Sequence, residues 1–244
     1  MQTVTLSVFR FEGLANKLWA FSQMQFAHAS MRKIDGLQFY KLFGSGSGES
    51  FTPVPNFGVY AVMAAFSSRE EAQMALSSAP VFQRYFDRSS EALSVYLSTF
   101  HTTGSWDGKK PFEVDEGLRK LPSPEPIGIL TRASIRKRRL LEFWRSVPEI
   151  SDDTTREDGL LFKLGIGEIP WLHQVTFSVW SDRTAMMRFA YQNTAHAKAA
   201  KAAHERDWFS EDLFARFHVI AAEGSWKGED AHRLVTHSTE LTTA

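Results

Sequence analysis

The chain contains no cysteine among its 244 residues. Disulfide bonds, thiolate metal ligands, iron–sulfur clusters and cysteine nucleophiles are therefore excluded. It also has no excess charge of either sign, with 28 basic and 28 acidic residues. This balance argues against nucleic acid as a partner, because proteins that bind nucleic acid usually carry a basic excess. No apolar run approaches the roughly 20 residues that span a bilayer as a helix.

The first ten residues, MQTVTLSVFR, lack the basic segment and apolar run of a secretory signal peptide. Together with the absence of cysteine, which fits a reducing compartment, this predicts a cytoplasmic protein. Aromatic residues are abundant instead, with 20 Phe and 7 Trp. Aromatic side chains fill large cores, and they also line pockets for flat or long apolar ligands. Composition leaves both uses open.

Three short motifs occur twice in the same order, each pair separated by about 120 residues. Lys41–Gly44 matches Lys163–Gly165, Phe66–Arg69 matches Trp180–Arg183, and Gly104–Gly108 matches Gly224–Gly228. Three ordered echoes indicate a tandem duplication. Differences between the two halves are therefore the first place to look for chemistry.

Hydrophobic periodicity predicts the order β-α-β-β-α-β in each half. The first half has predicted strands at 3–11, 37–43, 57–66 and 93–100, with helices at 14–30 and at 68–90, the latter broken at Pro80. The second half has predicted strands at 127–131, 160–164, 175–180 and 216–222, with helices at 135–144, 182–191 and 195–207. Ser68 and Glu71 form a capping box at a helix start.

This order is the split βαβ pattern of ferredoxin-like domains. Two such repeats, at residues 1–109 and 127–228, are expected to pack their sheets face to face into an α+β barrel. The proline-rich stretch 110–126 is predicted to be a linker, and 229–244 a polar, frayed tail.

The halves differ strongly around His196. It lies in Asn193–His204, which is rich in alanine, whereas the matching first-half segment Pro80–Tyr85 is bulky and has no histidine. Small side chains would let a flat ligand approach the helix closely, and an imidazole there could ligate a haem iron. The alternative is an exposed helix with an incidental histidine. His204, eight residues further on, is the rival ligand.

Other candidate residues carry weaker signals. Gln174, Thr176 and Ser178 share one face of a predicted strand. On the inner face of a barrel they would suit a ligand pocket, and on the outer face they would be solvated. The basic run Arg136–Arg139 would also be a solvated face, or would contact haem propionates or an anionic membrane. No nucleophile elbow or dinucleotide fingerprint is present.

Longer stretches, distributed from residue 1 to about 228, resemble the spheroidene monooxygenase family of carotenoid biosynthesis. They are Met1–Phe11, Lys41–Gly46, Phe51–Asn56, Thr131–Ala133, Phe162–Pro170, Gln174–Trp180 and Asp207–Phe209. The resemblance implies a haem b protein that uses O₂ and introduces a keto group at C-2 of an acyclic carotenoid. Electrons would then come from an external donor such as ferredoxin, because no flavin or nicotinamide site is visible.

The resemblance also implies roles for particular residues. His196 matches a family histidine twelve residues before Trp208-Phe209 and would be the axial iron ligand. If haem is bound, Gln174, Thr176 and Ser178 are candidates to hydrogen-bond the bound oxygen, and Arg132 and Lys163 are candidates to contact propionates or add distal polarity. Thr194-Ala195 departs from the Gly-Pro of the family pattern, so the local backbone is expected to differ.

Two other classes of function remain open from the sequence. One is a haem-dependent lyase or dehydratase, or a haem carrier, on the same scaffold. The other is a ligand-binding barrel without cofactor. A carotenoid substrate would require peripheral contact with a membrane, and the oligomeric state is open, a dimer included.

Overall fold

The computed structural model describes residues 1–47, 52–119, 126–151, 157–169, 171–192 and 206–235. The strands are β1 Thr3–Arg10, β2 Leu37–Gly46, β3 Pro55–Phe66, β4 Glu91–Gly104, β5 Ile127–Ile135, β6 Leu160–Gly167, β7 His173–Trp180, β8 Phe209–Trp226 and β9 Glu229–Asp230. The α-helices are α1 Leu14–Phe26, α2 His28–Met31, α3 Arg69–Ser78, α4 Pro80–Arg88, α5 Glu116–Arg119, α6 Leu140–Ser151 and α7 Arg183–Gln192.

Eight strands close into an antiparallel barrel in the order β4-β1-β3-β2-β6-β7-β5-β8, with β8 pairing back onto β4. The first four strands form one half of the wall and the last four form the other. Each half has the strand order of the split βαβ motif. The predicted α+β barrel of tandem ferredoxin-like repeats is therefore confirmed.

The two seams between the halves are unequal. β4 and β8 pair over eleven residue pairs, whereas β2 and β6 meet only at Gly44–Gly167 and Ser45–Ile166. Side chains reinforce the short seam, where Lys41 on β2 donates a hydrogen bond to Glu168 just beyond β6 at 2.6 Å. The barrel is therefore closed by backbone on one side and partly by charged side chains on the other.

Alternate residues of the strands fill the barrel with apolar side chains. Phe43 on β2, Phe177 on β7 and Phe217 on β8 are among those with no solvent exposure. The turns after β4 and β8 lie at opposite ends of the barrel, since these strands are antiparallel. Trp106 from the first turn and Leu234 after the second join the interior cluster.

The outer face of the first half is a second apolar core. It lies beneath α1, α3 and α4 and contains many buried aromatic side chains. Ser68 caps α3 as predicted, because its hydroxyl accepts a hydrogen bond from the Glu71 backbone amide at 3.2 Å. Pro80 opens α4, so the predicted break in this helical region is also confirmed.

Several predicted boundaries were wrong. The strand predicted at 127–131 continues to Ile135, so the helix predicted to begin there starts only at Leu140. The strand predicted at 216–222 is the 18-residue β8, because inward apolar residues alternate with polar ones along most of its length. The helix predicted at 195–207 lies almost entirely outside the described residues.

The segments expected to be linker and tail contribute to the core. Phe112, within the predicted linker, is buried in the barrel interior. Ala231 and Leu234 are also buried there, in a short 3₁₀ turn that follows β9. The expectation of a frayed tail is therefore wrong for residues 229–235, because their apolar side chains close one end of the barrel.

Candidate functional site

The predicted row Gln174, Thr176 and Ser178 lies on the outer face of β7. The residues between them, including Val175 and Phe177, point into the barrel. Lys163 pairs with Ser178 and therefore lies on the same outer face. The structure thus brings Lys163 together with the polar row, on the side of the wall where helices pack.

The outer faces of the two halves can be matched residue by residue through their pairing registers. Phe66 and Trp180 end β3 and β7, and counting back from them aligns the two strands. Four large buried side chains of the first half then have smaller or more polar counterparts in the second: Phe9 corresponds to Ala133, Leu42 to Gly165, Tyr60 to Gln174 and Val62 to Thr176.

We call the resulting surface the polar floor and define it as Thr131, Ala133, Gly165, Gln174 and Thr176. Thr131 and Thr176 are directly opposed on β5 and β7. Thr131 is exposed although it lies in the middle of the sheet, whereas its first-half counterpart Ser7 has no exposure. The second half therefore has a flat surface of small and polar groups where the first half has aromatic packing.

Two apolar clusters flank the polar floor. One contains Ile135, Phe143 and Trp208. The other contains Trp180 and residues of α7, including Met186. A flat, largely apolar ligand with a few polar groups would match a floor and walls of this kind.

His196 and His204 lie outside the described residues, in the connection between α7 and β8. The described residues on either side of this connection belong to different walls, since α7 contributes to one and Trp208 to the other. The assignment of His196 as an iron ligand stays a prediction. So does that of its rival His204.

Two cationic side chains accompany the floor. Burial lowers the pKa of Lys163 to about 8, so Lys163 loses its proton more readily than an ordinary lysine. Arg216 on β8 pairs with Ile129, which itself pairs with Ser178, so all three share the outer face. The Ser178 hydroxyl accepts a hydrogen bond from the Trp180 indole at 3.0 Å.

Arg132, also predicted as a site residue, lies on the opposite face of the wall. It is completely buried inside the barrel, where its guanidinium donates to Glu211 and, at 3.2 Å, to Asp107. Lys41 contacts Asp107 and Glu168 beside it. We call Lys41, Asp107, Arg132, Glu168 and Glu211 the charge cluster. The structure does not bring Arg132 together with the polar floor.

Glu211 is a carboxylate of this cluster that accepts several hydrogen bonds. Burial alone would raise its pKa, but hydrogen bonds outweigh burial and lower the pKa to about 2. The donors include the backbone amides of Gly108 and Asp107 at 2.8 and 3.0 Å, and the Ser105 hydroxyl at 2.7 Å. The turn that follows β4 is thereby fixed to the start of β8.

The same contact recurs at the other end of the barrel. Glu91 at the start of β4 accepts a hydrogen bond from the Gly228 amide at 2.8 Å and pairs with Arg10. The sequence contained a signal for this pair, since Glu91 and Glu211 have the same separation as the two Gly-Ser-Trp turns. That signal was missed, because neither glutamate lies within the echoed motifs.

The described residues set two further limits. They contain no group of three or more His, Asp or Glu side chains placed to hold a metal ion. Their helices are all too short or too polar to cross a bilayer.

An open cleft of about 450 Å³ lies at the end of the second half, lined by Arg136, Lys137, Arg138, Leu172 and His173, among others.

Comparison with solved structures supports the fold. An aldoxime dehydratase is similar over 95% of this chain and 82% of its own, with a TM-score of 0.61 and 14% sequence identity. Another, solved in complex with butyraldoxime, gives a TM-score of 0.60 at 12% identity. Fold and surface together define a tandem ferredoxin-like barrel protein with the polar floor on the outer face of its second half.

Sequence comparison identifies the family. No protein-family model matches the chain. A spheroidene monooxygenase of Rhodobacter capsulatus is 43% identical over 94% of this chain and 95% of its own. One of Cereibacter sphaeroides is 38% identical, also over 94% of this chain and 70% of its own. The chain belongs to the spheroidene monooxygenase family.

Proposed function

We propose that the chain is a monooxygenase that introduces a keto group at C-2 of spheroidene or a similar acyclic carotenoid. The observation that carries this proposal is the 43% identity to a spheroidene monooxygenase over nearly the whole of both chains. The likeness to aldoxime dehydratases is one of fold, and fold alone does not favour dehydration.

Haem b is the proposed cofactor, and the polar floor fits it. Phe9, Leu42 and Tyr60 correspond to the smaller Ala133, Gly165 and Gln174, so the second half lacks the bulky side chains that fill these positions in the first half. His196 would ligate the iron, and Lys163 would pair with a propionate. Bound haem would supply the activation of O₂, with electrons from an external donor such as ferredoxin.

The chemistry requires two oxygenations at one carbon. Each inserts one oxygen atom of O₂ into a C–H bond, consumes two electrons and two protons, and releases water. Two rounds at C-2 give a geminal diol, which loses water to form the ketone. The Thr131 and Thr176 hydroxyls would orient polar groups above the floor, and the Trp180 and Trp208 walls would exclude water from it.

The test combines spectroscopy with product analysis. Purified protein supplied with haem should show a Soret band that shifts on reduction, and His196→Ala should weaken or move it, with His204→Ala as the matched control. Incubation with spheroidene, a reductant and ¹⁸O₂ should give a labelled 2-keto product. Turnover of the ferrous protein without oxygen would instead support a lyase, and absence of a Soret band would reject the haem assignment.

A further inference from the structure

Six exposed apolar side chains lie on three segments that contact one another or follow one helix face. We call this set the apolar belt and define it as Leu14, Leu18, Phe21, Val54, Phe57 and Trp171, each of which is about half or more exposed. Leu14, Leu18 and Phe21 recur at helical spacing on α1 and so form one stripe. Contiguous exposed apolar surface of this kind marks an interaction site.

Side-chain contacts connect the parts of the belt. The rings of Phe21 and Phe57 have centroids 5.9 Å apart, which joins α1 to β3. The Trp171 indole donates a hydrogen bond to the Pro53 carbonyl at 2.9 Å, which joins the turn before β7 to the segment before β3. The belt therefore crosses from the first half of the barrel to the second.

Trp171 is held in an unfavourable conformation. Its φ is 66°, in the left-handed region that bulky residues rarely adopt, and its side chain is 49% exposed. Its carbonyl accepts a hydrogen bond from the Trp144 indole at 3.1 Å. An indole that is fixed by its polar atom while its ring faces outward is the arrangement found at membrane interfaces.

The belt segments carry almost no charge, and the cleft next to them is cationic. The belt segments 14–26, 52–58 and 169–172 contain no acidic residue, and Lys17 is their only charge. The cleft lined by Arg136, Lys137 and Arg138 begins at Leu172, next to Trp171. Arg136 and Arg138 share the carboxylate of Asp207, so the cleft keeps a net positive charge.

We propose that the apolar belt and the cationic cleft dock the protein onto the surface of an anionic phospholipid bilayer. The belt would enter the acyl boundary and the cleft would contact lipid phosphates. Ile135 lines the cleft and also belongs to one wall of the polar floor. Docking would thus place the polar floor beside the bilayer. That this position serves uptake of an apolar substrate rests on the proposed function.

Flotation with phosphatidylglycerol–phosphatidylethanolamine vesicles tests the docking surface. Phe21→Asp and Trp171→Ser should each reduce the bound fraction about tenfold or more, since each removes a large apolar group from the contact. Met74→Asp is the matched control, because Met74 on α3 is at least as exposed as Phe21 and Trp171 but lies outside the belt. Unchanged urea midpoints would show that the variants are folded.

A second arm tests the cleft. Joint replacement Lys137→Gln and Arg138→Gln should weaken binding to phosphatidylglycerol vesicles and leave the weak binding to phosphatidylcholine unchanged. Equal binding by the wild type and Phe21→Asp would overturn the proposal. So would loss of a dimer in Phe21→Asp without lipid present, since a second copy would then cover the belt. Because no carotenoid, oxygen or reductant is needed, these results are independent of the monooxygenase assay.

Discussion

Lys41 and Lys163 lie on opposite faces of the barrel wall, although they occupy the same place in an echoed Lys-Leu motif. Lys41 pairs with Met63, which points into the barrel, and Lys163 pairs with Ser178, which points outward. The residue that corresponds to Lys41 by strand pairing is Leu164, opposite Phe177. The same motif therefore supplies an ion-pair lysine inside the barrel in one half and an outer-face lysine beside the polar floor in the other.

Replacing Lys41 should destabilise the fold. Burial alone would lower the pKa of Lys41, but its hydrogen bonds to Asp107 and Glu168 outweigh burial and raise it. Lys41→Met would leave Glu168 largely buried without this partner at the short seam, and should cost about 3 kcal/mol of unfolding free energy. Urea denaturation at pH 7 measures this. The matched Lys163→Met should cost far less, and an equal loss in both would contradict the assignment of opposite faces.

Lys163 should make stability depend on pH in the alkaline range. Its pKa is about 8 in the folded protein against 10.5 for an ordinary lysine, so the unfolded chain binds more protons between these values. Folding is thus penalised below pH 8, and the penalty disappears as pH rises towards 10.5. The wild type should gain stability relative to Lys163→Met over this window in parallel urea titrations. A constant difference between them would show that Lys163 is not desolvated.

Glu211 should contribute to acid unfolding. Its pKa falls from 4.5 to about 2 on folding, so its stabilisation is complete above pH 4.5 and is lost as pH falls towards 2. A shift of this size corresponds to about 3 kcal/mol. Glu211→Gln should lower stability at neutral pH by about that amount and should converge with the wild type near pH 2. Glu91→Gln should behave in the same direction, since Glu91 makes the repeated contact.

Filling the polar floor should weaken haem binding without unfolding the protein. Ala133→Phe introduces the aromatic side chain that Phe9 provides in the first half. We expect the haem titration of this variant to show at least a tenfold loss of affinity, with an unchanged urea midpoint for the cofactor-free protein. Thr176→Val, which keeps the volume of the side chain, should bind haem nearly as well as the wild type. Normal haem binding by Ala133→Phe would place the cofactor elsewhere.

The local signals in the sequence were enough to predict the architecture of the fold. The alternation of apolar residues predicted the strands, Ser68 predicted a helix start, and the echoes predicted two similar halves. The predicted boundaries of strands and helices were wrong where tertiary packing extended an element. β8 continues far beyond the predicted 216–222 because its partners β4 and β5 pair with it from Phe209 to Gly224. Burial of Leu234 depends in the same way on a barrel end that no local pattern describes.

The sequence by itself determined the family, the duplicated fold and the chemical types at the site. Only the tertiary structure decided which face of the wall each residue occupies. Side chains on a strand alternate between faces, so a shift of one residue between motif and pairing register moves a group to the other side. That shift separates Lys163 from Lys41. The registers likewise place Arg132 inside the barrel, while its neighbours Thr131 and Ala133 lie on the polar floor.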